Sequence, residues 1–160
     1  YVPKYMYPLS RSVSCMVNLA MSLIPLVGVL LLTHDLPTRS WALIWFPLVC
    51  LFLFSAGMGL LLAAAMVFFR DIQFLWSVIS MLWMYLTPIF YDASIIPEQY
   101  LTLYKMNPLF HIIRIARVLL IDGVSPEPRA YLFCIIATVV PLILGVAIFK
   151  KTQDRFVLYL

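Results

Sequence analysis

Ser40–Phe69 reads SWALIWFPLVCLFLFSAGMGLLLAAAMVFF, thirty residues with no Asp, Glu, Lys or Arg. A bilayer's hydrocarbon core of about 30 Å needs roughly 20 helical residues, so this stretch is long enough to cross it. Inside lipid the backbone has no water to bond and must satisfy itself, which makes the stretch helical. The ten-residue alternation of polar and apolar residues that marks a membrane strand is absent. Ser12–Leu32, Ile72–Tyr91 and Ala130–Phe149 are uncharged in the same way. The predicted fold is an all-α integral membrane protein with about four transmembrane helices, at 12–32, 40–69, 72–91 and 130–149. Pro25, Pro47, Pro88 and Pro141 fall inside these windows, where membrane helices accommodate proline as a kink.

The whole composition agrees. The 160 residues are 64% hydrophobic and 11% charged, with a mean hydropathy of +1.02. Soluble domains are about half apolar and a quarter charged. A soluble fold of this size could not hide so much apolar surface, so lipid must cover the remainder. The net charge of +4 comes without a basic run, and nothing points to nucleic acid. Cys15, Cys50 and Cys134 are widely spaced in apolar stretches. They read as small buried hydrophobes, not as a metal site or a disulfide framework. The chain opens on Tyr1, without a cleavable leader pattern. It is expected to be a fragment that lacks an N-terminal part.

The connections differ in kind. Thr33–Arg39 reads as a short polar turn, and Arg70–Asp71 as a tight reversal between the second and third spans. Asp92–Arg129 is long but apolar. Within it Asn107-Pro108 reads as a helix start, with Asn as cap and Pro at the first helical position, and Gly123 reads as the stop. Leu109–Ile121 between them is too short to span, so the 92–129 region is expected to be a re-entrant or interfacial helical hairpin. A shorter helix is expected over Pro97–Lys105. Lys and Arg favour the cytoplasmic side of a membrane. Lys4, Arg11, Arg70, Lys150, Lys151 and Arg155 lie on one side of a four-span chain; Arg39, Lys105, Arg114, Arg117 and Arg129 lie on the other. The expected orientation puts both termini and the Arg70 turn in the cytoplasm.

Four groups of residues are candidates for function. Ser55, Gly59 and Ala63 recur every fourth residue, which lets helix backbones approach closely; they serve either ordinary bundle packing or a subunit interface. Phe69, Arg70 and Asp71 at the reversal are either a charged stop signal or a docking knob whose displacement would move both helices. The third span carries Trp76, Trp83, Tyr85 and Tyr91. Aromatics at its ends fit an interfacial belt, and the deeper ones could line a path for a sugar chain. Arg114 and Arg117 lie on a membrane-like segment, where ionisable groups either snorkel or face a cavity; facing a cavity they would contact an anion such as phosphate. No span holds a carboxylate, and His34 and His111 lie outside the spans, which opposes membrane acid-base or metal enzymology. A phosphate-binding glycine loop is absent too.

Phe68-Phe69-Arg70-Asp71-Ile72, then Thr87-Pro88-Ile89-Phe90-Tyr91, Ile96-Pro97, Asn107-Pro108-Leu109 and Arg117, in that order and spacing, resemble the ABC-2 type permease that exports polysaccharides. The opening Val2–Ser10 and the closing Phe149–Phe156 are similar to that family's approach to its third membrane helix and its cytoplasmic tail. The resemblance covers essentially the whole chain. It implies six membrane helices per permease, of which this chain holds the last four, with two further spans missing at the N-terminal side. It implies a dimer of permeases, a homodimer, bound to two ABC ATPase subunits. ATP and Mg would sit on that partner, with no cofactor in this chain. It implies that Arg70 and Asp71 lie at a coupling turn. It implies O-antigen, capsule or teichoic acid chains on a lipid carrier as substrate, and the bacterial cytoplasmic membrane as location. Arg114 departs from the family pattern, where an acidic or neutral residue is more usual. The alternatives are an ABC-2 exporter of small lipophilic drugs or lipids, a membrane-embedded enzyme of envelope glycolipid synthesis, and a structural anchor.

Overall fold

The computed structural model describes residues 6–32, 39–91 and 95–152. Among the described residues all regular structure is helical. The first helix, α1, covers Met6–Leu32. A 3-10 segment over Arg39–Ile44 leads into α2, Trp45–Phe68. Then come α3, Ile72–Leu86, α4, Glu98–Lys105, and α5, Pro108–Arg117. A π-helical turn over Val118–Asp122 continues α5 and ends at Gly123, whose φ of 63° is the left-handed cap that glycine adopts without strain. The last helix is α6, Pro128–Thr152. Asn107 is extended and its side chain accepts the Leu109 amide, with Pro108 opening α5 as the sequence signals indicate.

Three segments are long and apolar enough to cross a membrane: Met6–Val29, Ala42–Phe68 and Pro128–Thr152. The remaining uncharged window, 72–91, is helical only over Ile72–Leu86. At 1.5 Å per residue those 15 residues rise about 22 Å, short of a hydrocarbon core. Pro88 is the cause. The residue before a proline is pushed out of the α region, and Thr87 adopts φ −87° and ψ 130°. Pro88 therefore ends the helix instead of kinking it. Pro47 falls in the first turn of α2, where its missing N–H leaves no helical bond unmade. Pro25 and Pro141 stay inside α1 and α6.

The core lies where α2, α5 and α6 meet. Cys50 and Phe54 of α2 pack with Ile112 and Ile115 of α5, Leu119 of the π turn and Cys134 of α6. Leu60 and Ala64 pack with Phe149 at the other end of the same helix pair. Between the two clusters α2 and α6 touch backbone to backbone. A Cβ on Gly57 would lie 2.6 Å from the Leu142 Cα, and one on Gly145 would run into the Gly57 carbonyl oxygen. By contrast α1 and α3 sit at the margin. No residue of α3 is buried, and side chains such as Ile24, Phe74 and Val78 are at least 60% exposed. Contiguous apolar exposure on this scale belongs against lipid or another apolar element.

Candidate functional site

The reversal between α2 and α3 consists of Phe69, Arg70 and Asp71 alone. Its backbone is tied down: the Phe69 amide donates to the Ala65 carbonyl at 3.0 Å and the Ile72 amide to Phe69 at 3.2 Å. The Phe74 and Leu75 amides both donate to the Asp71 carbonyl, at 3.1 and 3.2 Å. All three side chains are exposed, Phe69 by 70%, and the Asp71 carboxylate makes no cap bond. The result is a stiff turn that presents an aromatic ring, a cation and an anion outward.

A groove of about 640 Å³ runs between α1, α2 and α3, from Met66 and Trp76, three to five residues from this turn, to the start of α5. Arg11, Ser12 and Cys15 line it on α1, Ser55, Gly59 and Ala63 on α2, Trp76, Ser80 and Trp83 on α3. Ile89 and Leu109 lie at the far end. Trp76 and Trp83 stand edge to face at 6.0 Å, and Trp83 meets Phe54 in the same manner at 6.1 Å, a favoured quadrupole geometry. The stripe of Ser55, Gly59 and Ala63 thus faces α1 and the groove; the backbone contact with α6 is made by Gly57, one register over.

The other aromatics of this region lie elsewhere. Tyr85 is 57% exposed and borders a separate depression with Ile79, Leu82 and Tyr104. Tyr91 lines a third with Pro97, Tyr100 and Tyr104. Its hydroxyl donates to the Tyr85 carbonyl at 3.1 Å and lies 3.2 Å from the Tyr104 hydroxyl.

A buried polar knot holds the broken end of α3. The Trp83 indole Nε1 donates to Asn107 Oδ1 at 2.9 Å. Asn107 Nδ2 donates to Thr87 Oγ1 at 2.8 Å, and Thr87 Oγ1 donates to the Trp83 carbonyl at 2.8 Å. One amide side chain thereby caps α5 and fastens α3, with both of its ends used. Thr87 is fully buried and Asn107 nearly so, so each bond satisfies a group that water cannot reach. Arg117 completes the closure. Its Nη1 donates to the Tyr91 carbonyl at 3.3 Å, and its Nη2 to the Pro88 and Ile89 carbonyls at 3.1 and 3.2 Å. These carbonyls belong to the segment that follows the end of α3; of the carbonyls left unpaired at the helix end itself, that of Tyr85 is taken by the Tyr91 hydroxyl.

Arg114, three residues earlier, is exposed and faces another way. It lines a cavity of about 480 Å³ with Lys105, His111, Glu127 and Arg129. The two arginines that the sequence places on one stripe therefore serve different neighbourhoods. Sequence reasoning finds Asn107 as a helix cap but misses its tie to α3, because that bond spans 20 residues or more. It misses Lys105, Glu127 and Arg129 beside Arg114, and Arg11 beside Trp76, because those pairings depend on how helices pack.

Residues 4–121 match the family model described as ABC-2 type transporter. The chain is similar to two O-antigen export system permease proteins RfbA of Klebsiella pneumoniae. One is 30% identical over 137 residues and the other 34% over 140, each match covering 83% of this chain and 52% of the relative. It is also similar to the O-antigen export system permease protein RfbA of Myxococcus xanthus, 28% identical over 158 residues, covering 96% of this chain and 60% of the relative. The chain spans about half the length of the Klebsiella relatives it matches. No solved structure matches it. With three helices fit to cross a bilayer and a family match over most of its length, this chain is a multi-pass membrane protein and belongs to the ABC-2 type transporter family.

Proposed function

We propose that the chain is the larger part of a membrane permease in an ATP-driven exporter of lipid-linked cell-surface polysaccharide, in the bacterial cytoplasmic membrane. The observation that carries this reading is the α2–α3 hairpin. A stiff, exposed turn of Phe69, Arg70 and Asp71 leads directly into the helix whose Trp76 and Trp83 wall an apolar groove. A motor docked on such a turn would move that wall, and flat indole faces suit the passage of sugar rings. The printed names of the relatives supply the class of cargo.

In this reading α3 is a fourth, short span, extended by Thr87–Tyr91 and held by Arg117. The α4–α5 region folds back into the outer leaflet, and both termini of the chain lie in the cytoplasm with Lys150 and Lys151 in the last turn of α6. ATP and Mg are bound by a separate ABC ATPase, two permease copies form the channel, and no reaction is catalysed by this chain. The second reading, an ABC-2 exporter of small lipophilic compounds, is favoured by one feature: a groove of about 640 Å³ lies within the size range of drug-sized ligand sites.

The test is complementation by the full-length subunit with its ATPase, in a strain whose own O-antigen export permease is deleted. Surface polysaccharide should return with the native sequence and drop with Arg70→Ala or Asp71→Ala at normal subunit abundance. Extrusion of a lipophilic dye without any return of polysaccharide would establish the second reading and overturn the first. Normal export by both variants would reduce the turn to a stop signal.

A further inference from the structure

The cavity beside Arg114 is not used by the groove, the turn or the polar knot. It collects charge from three elements: Lys105 at the end of α4, Arg114 on α5 and Arg129 in the first turn of α6. Glu127 is the one carboxylate among its lining residues. Three cations thus share one cavity with a single anion beside them. Arg129 adds to the imbalance, because the N-terminal end of a helix already carries positive partial charge.

His111 fixes the geometry. Its Nε2 lies 2.7 Å from the Lys105 carbonyl, and a carbonyl can only accept, so that nitrogen carries the hydrogen. The ring also stacks on Phe133 of α6 at 5.7 Å and 17°. One imidazole therefore ties the end of α4 to α5 and α6, and holds Lys105 beside the two arginines. The same cavity has an apolar wall, formed by residues such as Ile115, Val118 and Phe133. The site lies at the end of α6 remote from the Phe69–Asp71 turn, since Phe149 at the other end packs beside Val67.

We propose that this cavity binds a phosphate ester, its anionic oxygens bonded by Lys105, Arg114 and Arg129 and its organic part laid on the apolar wall. Guanidinium groups bind phosphate in bidentate fashion and lysine as a point charge, so the donor set suits this anion. An excess of two positive formal charges matches a doubly charged phosphate monoester or pyrophosphate diester. The ligand is either carried by a lipid or a free phosphate, and the apolar wall favours the lipid. This inference stands apart from the export reading, because it concerns binding and not transport.

The experiment uses the full-length subunit in complex with its ATPase, in neutral detergent. Thermal unfolding is followed as phosphatidic acid, phosphatidylcholine or inorganic phosphate is added at matched ionic strength. Phosphatidic acid should raise the unfolding temperature and phosphatidylcholine should not. A rise with inorganic phosphate as large as with phosphatidic acid would identify the free anion as the ligand. Arg114→Gln with Arg129→Gln should weaken the effect by about tenfold in half-saturating concentration or more, the order expected for lost charge-assisted bonds. Lys151→Gln, an exposed cation at the far end of α6, should leave it intact. Glu127→Gln removes the one lining carboxylate and should tighten binding, an effect that a merely structural role would not produce. An unaltered response in the double arginine variant, an equal loss in Lys151→Gln, or weaker binding in Glu127→Gln would each overturn the proposal.

Discussion

Gly145→Ala is the sharpest perturbation of the fold. The added methyl would enter the Gly57 carbonyl oxygen and lie 3.1 Å from its carbon and 3.2 Å from its Cα. Carbon atoms rest at about 3.5–4.0 Å, and all three obstacles are backbone, which has no rotamer to escape into. Relief requires α2 and α6 to part along their closest line. Overpacking of this kind costs about 1–3 kcal/mol, and alanine's helix propensity returns roughly 1 kcal/mol at most. The two figures leave a net loss of about 0–2 kcal/mol against the native protein, and of about 1–3 kcal/mol against a glycine in open space that takes the same helix gain. Gly57→Ala should behave alike, with its methyl 2.6 Å from the Leu142 Cα. Two internal controls share the same chemistry. At Gly28 nothing lies within 4 Å, and at Gly59 the nearest atoms are Ser12 Oγ at 3.9 Å and Pro8 Cβ at 4.0 Å. Thermal unfolding of the four full-length variants in one detergent should rank Gly57→Ala and Gly145→Ala well below Gly28→Ala and Gly59→Ala. If Gly145→Ala unfolds with the native protein, the close α2–α6 contact is not present in the membrane.

Asn107→Ala should cost about 1–3 kcal/mol, because it strands the Trp83 indole N–H and removes the amide that Thr87 Oγ1 accepts from, while the Thr87 hydroxyl keeps its bond to the Trp83 carbonyl; a red-shifted tryptophan emission would accompany the loss, and unchanged emission and stability would refute the knot. Ser80→Ala removes only a local bond to the Ser77 carbonyl and should be nearly silent in the same unfolding assay. Arg117→Gln should destabilise the closure of α3, and Arg117→Lys should restore only part of it, since an ammonium cannot reproduce a planar fork over three carbonyls. A cysteine at Pro126 in a cysteine-free background should react with an impermeant thiol reagent from outside the cell, and one at Lys151 should not; the reverse pattern would invert the orientation.

Helices were readable wherever length and apolarity decide. α1, α2 and α6 follow from uncharged stretches, and Asn107-Pro108 and Gly123 mark the ends of the α5 region through local backbone chemistry that needs no partner. Thr87-Pro88 reads as a kink in the sequence and ends α3 in the structure, because whether a proline kinks or stops a helix depends on what receives the freed carbonyls. Here the Tyr91 hydroxyl receives the Tyr85 carbonyl, and Arg117, some 28 residues away, ties down the Pro88, Ile89 and Tyr91 carbonyls of the segment beyond. The same limit separates Arg114 from Arg117. Three-residue spacing places them near one face, but the face is wide enough for the segment after α3 to claim one and the cavity beside α6 the other. Small residues on α2 announced a close helix contact, and only the packing shows that Gly57 makes it while Gly59 does not.

The placement of bonds along α3 has a mechanical consequence. At one end its backbone is fixed to the α2 turn through Asp71; at the other its Trp83 side chain is fixed to Asn107 and its Tyr85 carbonyl to the Tyr91 hydroxyl, while Arg117 holds the Pro88 and Ile89 carbonyls just beyond its end. Between those ends it buries no residue. A helix packed into a core cannot shift without opening voids, whereas a helix held only at its ends, with its flank on a groove, can tilt at small cost. In the export reading this makes α3 the movable wall. Displacement of Phe69–Asp71 would swing Trp76, the nearer indole, while Trp83 stays pinned by Asn107. The groove would then widen at the turn end first, with Arg117 keeping its far end anchored to α5.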